Sequence, residues 1–472
     1  MAEPRPHRRG LRRWCAAAAI GAAAGCASYQ PRPLTTETVD AALRPAPIES
    51  VKIAAARLQH PLLAPLVIDG RGGYSPDEIA VMVVVLSPEL RALRDQRGVA
   101  QAQVLQAGIL PNPQIAYAVD NPHGRNANGA ALSANGLGLV SAANLGLSWD
   151  VTSLLAHHDA VAAAQAAARS VDLSVAWQEW QAAQDARLRA FRILSLEQRL
   201  PLARQVEADL AESADRARKA VSLGYQTAAD LTAAADAWTQ AENARFDLET
   251  QLTSERAALR LALGLRPEAP LELKAATAFP ELPGPGNAAA LLTGLEDRRL
   301  DLVALRAGYE SQDAAVRAAI KAQFPKINLG VNKAKDTTPV NTVGWGVTLD
   351  VPIFDRNQGQ IAIGETTRQQ LFDEYIARVA EARSQVGEIL TGLAVARTQL
   401  RDADASLPAF QDLAQALDTA MQTRNADWDA GRDARAAVAA RQIARAQLQQ
   451  QVLELSVALE IATGRPLLNR SP

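Results

Sequence analysis

The sequence predicts a duplicated, mainly α chain with four short strands that can complete a membrane β-barrel only when several copies come together. Three observations carry that expectation. Residues 146–155, GLSWDVTSLL, and 346–355, GVTLDVPIFD, share Gly, Asp and Val at an offset of 200, as do Ala262-Leu263-Gly264 and Ala462-Thr463-Gly464. Recurrence at a fixed offset marks a repeated structural unit. Four segments alternate between large apolar and small or polar residues, and long Ala-rich stretches with few helix breakers lie between them.

The strands come first in each repeat. Ile115, Tyr117 and Val119 alternate with small or polar residues, placing a strand at about 113–119. Leu145, Leu147, Trp149 and Val151 do the same within about 139–152. In the second repeat Ile327, Leu329 and Val331 define a strand at about 325–332, and Val343, Trp345, Val347, Leu349, Val351 and Ile353 one at 343–353. Period-2 alternation gives each strand one apolar and one polar face. A soluble sheet with one face on a core would fit, but would need a partner layer. A transmembrane barrel needs none, because its apolar face meets lipid and its polar face a wet lumen. Backbone groups in lipid demand closure, and the smallest barrels have about eight strands, so four must be completed by other copies; three copies give twelve.

Helical patterns run from about Thr152 to Leu223 and from about Asn357 to Ala430, followed by return helices at 226–263 and 432–462. Each long helix of roughly 70 residues is on the order of 100 Å long. Leu448, Val452, Leu455 and Leu459 have the 4-3-4 spacing of a coiled-coil seam, as do Leu248, Leu252, Glu255 and Leu259 with one polar interruption. Pro201 and Gly224 pair with Pro408 and Gly431 at an offset of 207. The extra seven residues suggest a heptad slip within the helices. Both glycines are expected at reversals needing positive φ, and both prolines at a kink or break. Ser75-Pro76-Asp77-Glu78 is a capping box that should open a buried helix over Ile79–Leu86, a run too short to span a bilayer.

The N-terminus reads as a targeting segment. Arg5, Arg8, Arg9, Arg12 and Arg13 precede an apolar stretch ending in Ala23-Ala24-Gly25-Cys26, a basic, then apolar, then small-residue order. Beyond residue 25 the chain carries 44 basic and 50 acidic residues. No basic patch stands out, and nucleic acid is not an expected partner. Cys15 lies in the signal, so Cys26 is the single cysteine beyond it. His123 sits in the long loop of the first hairpin, and the adjacent His157 and His158 point apart on a helix without acidic or cysteine partners at ligand spacing. No cofactor, metal site or catalytic constellation is expected, and an enzyme is disfavoured.

With these elements in place, about residues 75–466 resemble the TolC family of outer-membrane efflux channels. Asn112-Pro113-Gln114-Ile115, Phe324-Pro325-Lys326-Ile327 and Val351-Pro352-Ile353-Phe354-Asp355 carry the resemblance. Leu110-Pro111-Asn112-Pro113 and Phe354-Asp355-Arg356-Asn357-Gln358-Gly359 look most like the heavy-metal (cobalt–zinc–cadmium) efflux branch. Cys26 after small residues resembles a bacterial lipobox, departing from it at Ala23. The resemblance implies a homotrimer with a twelve-stranded barrel in the outer membrane on an α-helical periplasmic tunnel. It also implies a periplasmic adaptor and an inner-membrane pump of the resistance-nodulation-division type. Carried over, it makes Leu223, Gly224, Tyr225, Ala430, Gly431 and Arg432 the adaptor-contacting tip and Asp230 a candidate constriction; Ala437 and Ala440, taken as matching positions, are not acidic. The expected organisation is a signal peptide at 1–25, a lipid-anchored extended tether at 26–74, repeats at 75–268 and 291–466 around a linker at 269–290, and a tail at 467–472. Drug efflux, type I protein secretion and a structural coiled-coil lipoprotein are the alternatives.

Overall fold

The computed structural model describes residues 28–121, 123–125, 131–132, 140–274, 288–337, 340–423 and 428–467. Cys26 lies outside them, as do most of the linker and the tail. Two units separate, Met1–Pro45 and Ala46–Pro472. In the first, helix α1 (Thr36–Ala42) opens with a capping box between Thr35 and Thr38.

The second unit holds every other element. Helices α2 (Ile48–Ala56), α3 (Pro76–Leu86) and α4 (Pro88–Gly108) lead into strand β1 (Gln114–Asp120), a small pair β2 (Gly124–Arg125) and β3 (Ala131–Leu132), and strand β4 (Ala142–Asp150). Helices α5 (Ser153–Ser222) and α6 (Ala228–Ala262) complete the first repeat. After the short α7 (Ala288–Leu292) and α8 (Leu295–Arg298), the order returns: helix α9 (Leu300–Lys321), strands β5 (Lys326–Lys335) and β6 (Asn341–Asp350), and helices α10 (Gln358–Gln422) and α11 (Trp428–Thr463). Helix, strand pair, long helix, return helix therefore occurs twice, as expected from the repeated motif.

The return helices lie on the long ones through the expected seams. Leu248, Leu252 and Leu259 of α6 are buried against Ala186, Ala190, Ile193 and Leu200 of α5. Val452 and Leu459 of α11 pack on Val386, Leu393 and Ala396 of α10. The polar interruption, Glu255, is held by Arg189 at 3.0 Å and Arg192 at 3.6 Å. Phe191 of α5 packs with Leu453 and Val457 of α11, which joins the repeats. Arg187 reinforces that joint, reaching Glu460 and Asp77 at 2.8 Å each.

Three expectations need correction. Residues 46–74 are not an extended tether. Val51 and Ala55 of α2, with Leu63 and Ile68, are buried, because this segment covers the apolar face of α3. His60 fastens it: Nε2 donates to Ala176 O at 2.9 Å, while Nδ1 accepts from the Leu62 and Leu63 N–H groups at 3.0 and 3.1 Å. Burial lowers the His60 pKa, against the opposing hydrogen bond to Ala176 and the charge of Glu179. Of the kink or break expected at the prolines, the break is absent, since α5 and α10 run through Pro201 and Pro408.

The third correction concerns the offset of 207. Helices α5 and α10 end at Ser222 and Gln422, and α6 and α11 begin at Ala228 and Trp428. The end of α10 thus keeps the offset of 200, at which Gly224 aligns with Arg424 rather than with Gly431. Most of the extra residues after Asp350 lie in the connector 351–357, not in a helical heptad. There β6 also stops short of the expected residue 353. Pro352 has no N–H to donate, and the Ile353 N–H turns back to Val351 O at 2.9 Å.

Candidate functional site: strand face and helix reversals

The four long strands form one antiparallel sheet in the order β1-β4-β5-β6, with β1 and β6 as its edges. Register aligns the apolar residues into rows. Ile115 is opposite Leu147, Leu147 opposite Val331, and Val331 opposite Trp345. The next row towards the helices joins Trp149, Leu329 and Val347. These side chains are largely uncovered, with Ile115 75% and Trp345 82% exposed. The alternate positions give small and polar rows, such as Ala116, Gly146, Asn332 and Gly344. All four strands have their helix-linked ends together, because Gln114 lies opposite Ser148 and Lys326 opposite Asp350. The loops after Asp120 and Lys335 lie at the other end.

The junction is pinned by Thr152. Its hydroxyl donates to Pro325 O at 3.2 Å and accepts from the Ile327 N–H at 2.5 Å. Trp149 Nε1 donates to Pro111 O at 2.8 Å, which ties the sheet to the Leu110-Pro111-Asn112-Pro113 motif. Asp150, a strand-end acid, accepts from the N–H groups of Thr152 and Ser153 at 2.9 and 3.3 Å and starts α5. Asp350 stands exposed, in register with Lys326.

At the far end of the helices, the first reversal is the one expected. Gly224 has φ +76°. Its N–H donates to Val221 O at 3.0 Å, and that of Tyr225 to Ala220 O at 2.9 Å, the pair of bonds that closes a helix with a left-handed residue. Leu223 and Tyr225 are 69% and 82% exposed. Asp230 accepts from the Thr227 N–H at 2.8 Å and hydroxyl at 2.7 Å in a capping box, which lowers its pKa through the Thr227 backbone bond first.

The second reversal differs. Ala430, Gly431 and Arg432 fall inside α11, Gly431 does not take positive φ, and residues 424–427 lie outside the described chain. A Cβ on Gly431 would meet Sδ and Cε of Met421 on α10, the flexible end of that side chain. At the offset of 200 the partner of Asp230 is Ala430, not Ala437 or Ala440.

Sequence reasoning missed the ionic links near this end. Arg432 Nη1 donates to Ser213 Oγ of α5. Arg435 reaches Asp418 of α10 at 2.6 Å and Asp209 of α5 at 3.9 Å. Burial raises the Asp209 pKa, against Arg435. No spacing rule signals these residues, because three separate helices bring them together. His157 and His158 lie near the start of α5, His158 Nδ1 3.9 Å from Asp159. Among the described residues no group of three or more His, Cys, Asp or Glu gathers as a metal site, and no helix is long and apolar enough to cross a membrane.

An outward-facing apolar sheet mounted on paired long helices defines a barrel-and-tunnel protein. Residues 291–465 match the family of outer membrane efflux proteins, and the first repeat has the same element order. The match lies wholly within the second repeat. Solved structures agree on the fold. The channel CusC is 17% identical, with 94% of this chain and 100% of that one covered and a TM-score of 0.65. The outer-membrane channel OprN is 15% identical over 83% and 90%, with a TM-score of 0.66. The CmeC outer membrane channel of Campylobacter jejuni is 12% identical over 82% and 85%, with a TM-score of 0.66. No curated protein sequence matches the chain.

Proposed function

We propose that three copies close a twelve-stranded barrel and act as the passive exit duct of a tripartite efflux system. Its cargo is divalent metal cations, delivered by a resistance-nodulation-division pump through a periplasmic adaptor. The observation that carries this reading is the sheet: its apolar face is bare and both edges, β1 and β6, are open to further strands. A four-stranded sheet cannot close around a lumen, whereas twelve strands fall within the range of known membrane barrels. Metal cargo is supported by the motifs at residues 110–113 and 354–359; Asp350 adds little, because Lys326 lies opposite it in register and offsets its charge. Asp150 likewise adds little, since its carboxylate is engaged at the start of α5.

On this reading Leu223, Gly224 and Tyr225 meet the adaptor, with Ala430, Gly431 and Arg432 beside them on α11. Asp230 narrows the closed end, and Cys26 bears the lipid anchor. The duct performs no chemistry, and the pump supplies the energy. Deleting the gene and titrating zinc, cobalt, cadmium and a drug panel tests the cargo. Metal sensitivity restored by the wild-type gene is expected; sensitivity to drugs alone would contradict it. Labelled palmitate should enter the wild type and not Cys26→Ser.

A further inference from the structure

The apolar face of the sheet does not end in apolar residues. Along β5 its outward positions run Ile327, Leu329, Val331 and then Lys333 and Lys335. Both lysines are exposed, and neither has an ion-pair partner among the described residues. Lys333 lies in register between Leu145 and Val343, and Leu145 is itself opposite Tyr117. Lys335 lies between Ala143 and Asn341. The cations therefore occupy the last two rows of the lipid-facing side, at the loop end, with a tyrosine in the same row.

The end of the strands decides what they meet. All four helices joined to the sheet leave from its opposite end. If those helices form the periplasmic tunnel, the Lys333 row lies at the outer-leaflet surface. Tyrosine and lysine at such a boundary keep an apolar stem in the hydrocarbon and a polar tip among headgroups. Simple extension into water would satisfy an isolated lysine. Two on one strand, on adjacent rows, instead match a headgroup carrying more than one phosphate, because ammonium groups bind phosphate as point charges.

We propose that Lys333 and Lys335 form a binding site for the phosphates of outer-leaflet glycolipid of the bis-phosphorylated lipid A class, repeated once per protomer. The site rests on the barrel reading above and adds a ligand to it. It positions the barrel vertically, since a headgroup gripped at this row fixes how deep Trp345 and Val331 lie.

The test uses full-length protein solubilised in detergent, exchanged into bis-phosphorylated lipid A, its dephosphorylated form or phosphatidylglycerol, and read by native mass spectrometry. Wild type should retain bis-phosphorylated lipid A about tenfold better than the dephosphorylated form. Lys333→Gln with Lys335→Gln should erase that preference, and the corresponding Arg pair should keep it. A phosphate-blind wild type, unchanged preference in the Gln pair, or equal retention of phosphatidylglycerol would each overturn the site. The same spectra report the number of chains. A trimer without phosphate preference sinks the lipid site alone, whereas a chain that never leaves the monomer sinks the barrel reading and the site with it.

Discussion

The sheet and the helical layer around α3 treat solvent in opposite ways. The sheet leaves Trp345 82% and Ile115 75% exposed, while the helical layer buries charge, with Glu460 0% and Arg187 5% exposed. Water as the only solvent would reverse both choices. Large apolar side chains on every strand of one face are what the proposed lipid-facing barrel requires. Charges buried in the helices mean that Arg187, Asp77 and Glu460 are a solved problem inside the fold, each with partners. The same chain thus carries its apolar surface outside and part of its ionic surface inside.

The largest effect should come from breaking the buried pair. Glu460→Ala leaves Arg187 with Asp77 as its one ion-pair partner among the described residues, beside the Phe191 ring, and removes the acceptor of the Leu467 N–H. A loss of about 3–5 kcal/mol is expected, measured by thermal or denaturant unfolding in detergent. Inverting the sheet should come next. Trp345→Arg puts a charge in the middle of the apolar rows and should cost about 2–4 kcal/mol at a bilayer midplane, read from folding into liposomes. The same change should matter little to the stability of the helical region. If it destabilises helices and sheet alike, the contrast between the two regions fails.

The reversals give a smaller and sharper comparison. Gly224→Ala forces a side chain into left-handed backbone and should cost about 1–2 kcal/mol, whatever its neighbours. Gly431→Ala meets Met421 instead, so Met421→Ala should relieve it and leave Gly224→Ala unrelieved. Equal behaviour of the two glycines in that double-mutant comparison would restore their equivalence.

Least in size is a pH effect at His60. Its fold-lowered pKa means that the folded chain holds the neutral ring, which accepts from the Leu62 and Leu63 N–H groups. That contribution is present above the ordinary imidazole value of 6.5 and fades as pH falls below it, because the unfolded chain takes the proton more readily. His60→Asn, whose side-chain oxygen can accept but not titrate there, should flatten stability as pH falls below 6.5. An unchanged slope would show that His60 does not carry it.

How much of this was legible in the sequence follows from the range of the interactions. Strand alternation and heptad spacing are local, so Leu145–Trp149 and Leu248–Leu259 announced their elements, and the offset of 200 announced the duplication. Residues 46–74 misled because a Pro-, Arg- and Ala-rich stretch looks unstructured, while its few apolar residues, Val51, Leu63 and Ile68, are the ones buried. Gly431 misled because glycine serves positive φ and ordinary helical backbone alike, and one sequence cannot distinguish the two. Lys333 and Lys335 were invisible as a pair until register fixed which face of β5 they occupy.

The central claim is that this sheet is one third of a barrel. The direct measurement is the mass of the particle extracted from membranes in mild detergent, by light scattering corrected for bound detergent. Three chains per particle, and resistance of the strand region to added protease, are the expected result. A stable single chain with the same secondary structure would contradict it, because β1 and β6 would then have to end in open edges that a membrane does not tolerate.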